Sequence, residues 1–172
     1  MPNDSLELQQ IEAEAEDIAK SVAQRPSTAH LLLAIFTVPG GADQLLRERG
    51  LTEDHVLGHL SALRGPPDEA SELFDTALDR ARQLAADCGH AEAEGLHLLV
   101  ALTRLSRTVA AGLLDATTPP ISSLRTTALG QLLGSIPRRR SREVAESVRV
   151  PPRALDPLPR GRTSTLPVPS AP

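Results

Sequence analysis

Apolar residues recur three, four and seven positions apart over most of the first 134 residues, which is the spacing of a helix face rather than a strand. Leu8, Ile11, Ala15, Ile18, Ala19 and Val22 form one such stripe, predicting a helix over Leu6–Ala23 that Pro26 ends. Ser27 or Thr28 is then placed to cap a second helix running to Phe36. After the turn at Pro39-Gly40-Gly41, a short helix over Ala42–Arg49 stops at Gly50, and Thr52 caps another that ends near Arg64-Gly65-Pro66-Pro67. The pattern then restarts. A long amphipathic helix over Ser71–Cys88 stops at Gly89. Helices over about Ala93–Leu105 and Thr108–Leu114 follow. A last one begins at Pro119-Pro120, is closed by Gly134 and Pro137, and carries Ile121, Leu124, Ala128, Leu129, Leu132 and Leu133 on its apolar side.

The two halves align. His30-Leu31-Leu32-Leu33-Ala34-Ile35 matches His97-Leu98-Leu99-Val100-Ala101-Leu102 at an offset of 67, and Ala42–Leu46 matches Ala110–Leu114 at an offset of 68. The one-residue slip falls in a connecting loop, where insertions are tolerated. Two such units can bury their apolar faces on each other. The expected fold is therefore all-α: a pseudo-twofold bundle of about eight helices made from two four-helix repeats, over residues 6–64 and 71–134.

Composition supports that class. There is no Trp or Tyr, and Phe36 and Phe74 are the only aromatic residues, so the core must be built from Leu, Ala, Ile and Val. Proline marks a boundary: eight of the fifteen lie at or after Pro137. Residues 137–172 lack a sustained apolar period and are expected to form a disordered Pro/Arg-rich tail after a domain over residues 1–136. Charge divides at the same place, with −9 over residues 1–136 and +5 over residues 137–172. An acidic body disfavours nucleic acid as its partner, while Arg138, Arg139, Arg140 and Arg142 could make electrostatic contacts. No aromatic residue in the tail offers a base-stacking surface. The acidic, polar start is unlike a signal peptide and the longest apolar run, Leu31–Phe36, is too short to cross a bilayer, so the cytoplasm is the expected compartment.

The repeated residues resemble the Clp N-terminal repeat domain, found at the front of bacterial Clp unfoldases. Leu73–Ala85 is similar to the family's first repeat helix, Gly89-His90 to its turn, and Leu96–Leu102 to its Glu-His-Leu-Leu-Leu-Ala-Leu signature. In the first half the turn around Pro26 is shorter and only Thr28–Ala34 carries the signature. The resemblance covers roughly residues 6–134. It implies a domain that receives clients and adaptor proteins for an attached ATPase ring. No Gly-x-x-x-x-Gly-Lys-Ser/Thr phosphate loop occurs here, and Lys20 is the only lysine. In some members the acid just before the repeat histidine binds phosphoarginine, because a carboxylate pairs with guanidinium nitrogens. Those positions are Ala29 and Leu96 here, so this mode of recognition is expected to be lost.

Other candidate chemistry is thin. Thr28, Ala29, His30, Leu96 and His97 are family signature positions, structural or partner-binding. His30 and His97 begin apolar helices at equivalent places, and a repeated structural histidine bonding a backbone group is favoured over a ligand or acid–base pair. His55 and His59 stand at i and i+4, but no third ligand completes a zinc pattern. The run Glu12, Glu14, Glu16 and Asp17 is expected to be a solvated helix face or, failing that, a docking face for a basic partner. Cys88 is expected to be a half-buried structural thiol, and no nucleophile sits in a catalytic context. No catalytic residue, cofactor or metal is assigned. The expected role is a non-catalytic, adaptor-like or substrate-recognition domain whose partner is a protein or peptide, such as a Clp unfoldase or its clients. The alternatives are a regulatory interaction module unconnected to proteolysis and a nucleic-acid-associated protein acting through the Arg-rich tail.

Overall fold

Ser5 starts the first helix, its hydroxyl accepting the amide of Leu8 at 3.2 Å. The computed structural model describes residues 2–62, 69–70, 72–116 and 120–135. Among these it forms eight helices, four in each repeat: α1 Leu6–Ser21, α2 Thr28–Thr37, α3 Gly41–Glu48, α4 Glu53–Ala62, α5 Glu72–Cys88, α6 Gly95–Arg104, α7 Val109–Asp115 and α8 Ile121–Ser135. The fold is all-α, as the apolar periodicity implies. The tail, with Arg138, Arg139, Arg140 and Arg142, lies outside the described residues.

The core follows the repeat. Leu31, Leu32 and Ile35 of α2 and their counterparts Leu98, Leu99 and Leu102 of α6 are fully buried. Each such side chain contributes about 1.5–3 kcal/mol of transfer free energy. α1 lies along α2 and α5 along α6, and α2 also packs on α6 and α7 of the other repeat. Ala15 and Ala81, both fully buried, let the long helices approach closely.

Three details depart from the sequence reading. Helix α1 ends at Ser21, two residues before the expected end at Ala23. Its end is a Schellman motif: Gln24 N–H bonds the Ala19 carbonyl at 2.9 Å and Ala23 N–H bonds Lys20 at 3.1 Å, with Ala23 left-handed at φ 54°. Helix α5 ends the same way, with His90 N–H on Ala85 and Gly89 at φ 73°, so Ala23 holds the place that glycine fills in the second copy. As a result Val22 falls beyond the helical stripe and is half-exposed. On α8, Leu133 is 58% exposed rather than in the apolar face, since Leu124, Ala128 and Leu132 suffice to bury that side. Finally, Asn3–Asp4 (β1) pairs in parallel with Glu92–Ala93 (β2), so the predicted start of α6 at Ala93 is two residues early and that stretch is a strand. This two-residue ladder ties the beginning of repeat one to the turn of repeat two.

Candidate functional site

The polar groups with buried partners concentrate where helix starts of the two repeats meet. A helix start leaves amide donors unsatisfied, and the fold brings such starts together in two pseudo-equivalent junctions.

In the first, α2 begins beside α7. Glu69 bridges them. One carboxylate oxygen accepts the Thr28 amide at 2.7 Å; the other accepts the Thr28 hydroxyl at 2.7 Å and the Val109 amide at 3.2 Å. Thr28 is fully buried, and its Oγ1 also accepts the Ala110 amide at 3.2 Å. A negative carboxylate at two helix starts is also favourable to both dipoles.

In the second junction, α6 begins beside α3, and Glu7 of α1 fills the gap. A hydrogen bond from the Gly95 backbone helps hold its carboxylate, yet Oε1 is buried without a partner among the described residues. A Cβ on Gly95 would stand 2.5 Å from Oε1, and one on Gly40 1.9 Å, so both glycines are needed for the carboxylate to sit this close. Burial raises the Glu7 pKa most; the Gly95 bond opposes this and Glu94 adds to it.

The two repeat histidines sit at the same junctions. His30 Nδ1 accepts the amide of Ser27, the N-cap of α2, at 3.2 Å, and Ser27 Oγ lies 2.8 Å from the same nitrogen. His97 Nδ1 accepts the amide of Glu94, the N-cap of α6, at 3.0 Å. Each ring thus does the job that Glu or Gln does at the third position of a capping box. Since Nδ1 accepts, the ring proton resides on Nε2. His97 Nε2 then donates to His90 Nδ1 at 2.7 Å, the rings standing edge to face at 82°. His90 Nε2 is buried with no partner among the described residues. Burial lowers the pKa of His30, and burial together with His90 pushes that of His97 down to about 4.

Ala29 and Leu96, the positions before the histidines, are covered. Ala29 is 1% exposed. Leu96 is half-buried over Gly41, its Cδ1 3.0 Å from where a Cβ would stand. Leu96 thus puts apolar atoms at the start of α3.

The remaining candidates are dispersed. Glu16 and Asp17 bond Lys20 at 3.4 and 3.1 Å on an exposed face. Glu12 lies 3.8 Å from Arg82, which makes a two-pronged pair with Asp4 at 2.9 and 2.8 Å. His55 Nδ1 sits 3.2 Å from the Thr52 hydroxyl, and the side chain of His59 is outside the described part. Cys88 is half-buried, and its thiol pKa is raised by burial and then by Asp87. Among the described residues no group of three or more His, Cys, Asp or Glu side chains could hold a metal ion. No single described helix is long and apolar enough to cross a membrane. Sequence reasoning missed Glu7, Glu69 and His90 as members of these junctions. For His90 the Gly89-His90 turn was a usable signal; Glu69 contacts Thr28 from 41 positions away and has none.

Two four-helix repeats interlocked through their helix starts define a double-repeat helical domain. The Clp repeat (R) N-terminal domain profile matches residues 69–156, just over half of the chain. The chain belongs to that family. Among solved structures it is similar to the Hsp104 N-terminal domain from Candida albicans, with 19% identity, a TM-score of 0.63, and coverage of 75% of this chain and 91% of that one. It is also similar to the N-terminal domain of the caseinolytic protease associated chaperone ClpD from Arabidopsis thaliana, with 18% identity, a TM-score of 0.62, and coverage of 76% and 97%. At those identities the likeness shows the fold. A comparison with curated protein sequences finds no match.

Proposed function

We propose that residues 1–136 are a non-catalytic protein-binding domain with an adaptor-like or substrate-recognition role in a Clp unfoldase or protease system. The observation that carries this is membership of the Clp repeat family. Part of the internal chemistry supports it: His97 and Glu69 are engaged at helix starts rather than free for acid–base work. His97 is fully buried and capped, and Glu69 accepts three hydrogen bonds. Neither Ala29 nor Leu96 offers a carboxylate to a guanidinium, so phosphoarginine recognition at those positions is lost. The tail, residues 137–172, extends the reach of the domain or makes a second contact.

The test is affinity capture from the native cytoplasm with the full chain, and with a chain in which Arg138, Arg139, Arg140 and Arg142 are changed to Gln. Recovery of a Clp unfoldase, its peptidase or their substrates by both chains supports the reading. Recovery of partners unrelated to proteolysis, or loss of every partner in the Arg-to-Gln chain, overturns it. Separately, saturable phosphoarginine-peptide binding that is lost on substitution of Ala29 or Leu96 would contradict the second part.

A further inference from the structure

The two repeats carry pseudo-equivalent grooves of opposite charge. In each repeat a groove runs between the long helix and the histidine helix. In repeat one it lies between α1 and the end of α2, with a volume of about 380 Å³, and is walled by Glu14, Asp17 and Thr37. In repeat two it lies between α5 and α6, with a volume of about 220 Å³, and is walled by Arg80, Gln83 and Arg104 over a floor of Leu84 and Ala101. The Schellman ends at Ala23 and Gly89 set the long helices in register at an offset of 66. That places Arg80 where repeat one has Glu14 and Gln83 where it has Asp17. The histidine helices, at an offset of 67, place Arg104 where repeat one has Thr37.

The repeat-two groove combines two features. Its floor is apolar, with Leu84 7% and Ala101 1% exposed. Its walls carry two exposed guanidinium groups, and neither Arg80 nor Arg104 has a carboxylate within ion-pair distance among the described residues. The acid in the groove, Asp87, is engaged by Gln83 Nε2 at 2.8 Å. By contrast, Arg82 of the same helix, which is partly buried, is paired with Asp4 and Asp79. On a body of net charge −9, a cationic groove with an apolar floor stands out as a site of specific complementarity rather than bulk attraction.

We propose that the α5/α6 groove docks an acidic peptide segment of a partner protein, an aliphatic side chain resting on Leu84 and Ala101 and flanking carboxylates meeting Arg80 and Arg104. Guanidinium suits this because it forms two-pronged hydrogen bonds with carboxylates. The proposal rests on the protein-binding reading and names the chemistry of one partner.

The experiment titrates the full chain with an acetylated Asp-Leu-Glu-Leu-Asp peptide by calorimetry, at low and at physiological salt. The doubly reversed variant R80E/R104E is the key comparison. Both residues are exposed, and matching circular dichroism and melting confirm that the variant folds. Expected are saturable binding by the parent chain, weakening by tenfold or more in R80E/R104E, and unchanged or tighter binding in E14R/D17R. No saturable binding, equal binding by R80E/R104E, a preference for a Lys-Leu-Lys-Leu-Lys peptide, or tighter binding of a single-stranded DNA oligonucleotide each overturns the proposal. If the peptide fails to bind while capture still recovers Clp components, the groove assignment falls and the wider reading stands. If the peptide binds as expected and capture recovers none, only the Clp link falls.

Discussion

Glu69 receives both the backbone amide and the side-chain hydroxyl of Thr28, each at 2.7 Å, across 41 residues of sequence. The same carboxylate accepts the Val109 amide, so one side chain serves helix starts in both repeats. Removing it in Glu69→Ala would orphan two backbone donors and a buried hydroxyl. Hydrogen bonds to a charged acceptor are worth about 1.5–3 kcal/mol each, and a half-exposed carboxylate lets water replace part of that. The expected loss is about 2 kcal/mol, read as a lower urea midpoint with an unchanged slope. Glu69→Gln should lose less, because its amide oxygen can keep one bond. A Glu69→Ala chain as stable as the parent would show that the strut carries no load.

Histidine 97 makes stability depend on pH. Its folded pKa is about 4, against an ordinary value of 6.5, because burial and His90 disfavour the charged ring. The unfolded chain therefore takes up a proton that the folded chain refuses. Stability is full above about pH 6.5 and falls as pH drops toward 4, by about 3 kcal/mol from this ring. His30, also depressed, acts in the same direction. Melting temperatures at pH 7, 5.5 and 4.5 should decline in order, and His97→Gln should flatten the decline. A decline of equal slope in His97→Gln would assign it to other groups.

Glu7 works in the opposite sense. Its folded pKa is raised, so the ionised form is the less favoured one in the native structure. This contribution is present at low pH and lost as pH rises through the folded value. Glu7→Gln, neutral at all pH, should melt higher than the parent at pH 7, with the gain shrinking on acidification. A lower melting point at pH 7 would mean that the ionised carboxylate serves the α6 dipole more than its burial costs.

Ala23 adopts φ 54° where the second repeat has Gly89 at 73°. A left-handed alanine costs about 1 kcal/mol, and the added backbone freedom of glycine in the unfolded chain offsets part of the relief. Ala23→Gly should stabilise the protein by about 0.5 kcal/mol, and Gly89→Ala should destabilise it by more. Differential scanning calorimetry of the two variants checks the sign.

The fold was legible because the signals that specify it are local. The three-and-four spacing of Leu31, Leu32, Ile35 and of Leu98, Leu99, Leu102 marks buried helix faces directly, and Ser27 and Thr108 stand where caps belong. Boundaries failed where a stop was disguised: alanine at position 23 hides a Schellman end that glycine would have announced. The site was legible only in part. His30 and His97 could be found from the repeat, because each bonds a backbone amide three residues away. Their surroundings could not, since Glu7, Glu69 and the β1–β2 ladder depend on contacts spanning tens of residues. The cationic groove was hidden for a related reason: Arg80 and Arg104 lie on different helices, within a body whose overall charge is of the opposite sign.

The junctions have a consequence for how the two halves depend on each other. Thr28 of the first repeat bonds Ala110 of the second, and Asn3 bonds Ala91. Glu7 of the first repeat sits against Gly95 of the second. A repeat excised from its neighbour would keep its leucines but leave the opening turns of its helices without acceptors. The duplication visible in the sequence is thus not a pair of modules. Each half is the other's missing surface, and neither is expected to hold its shape alone.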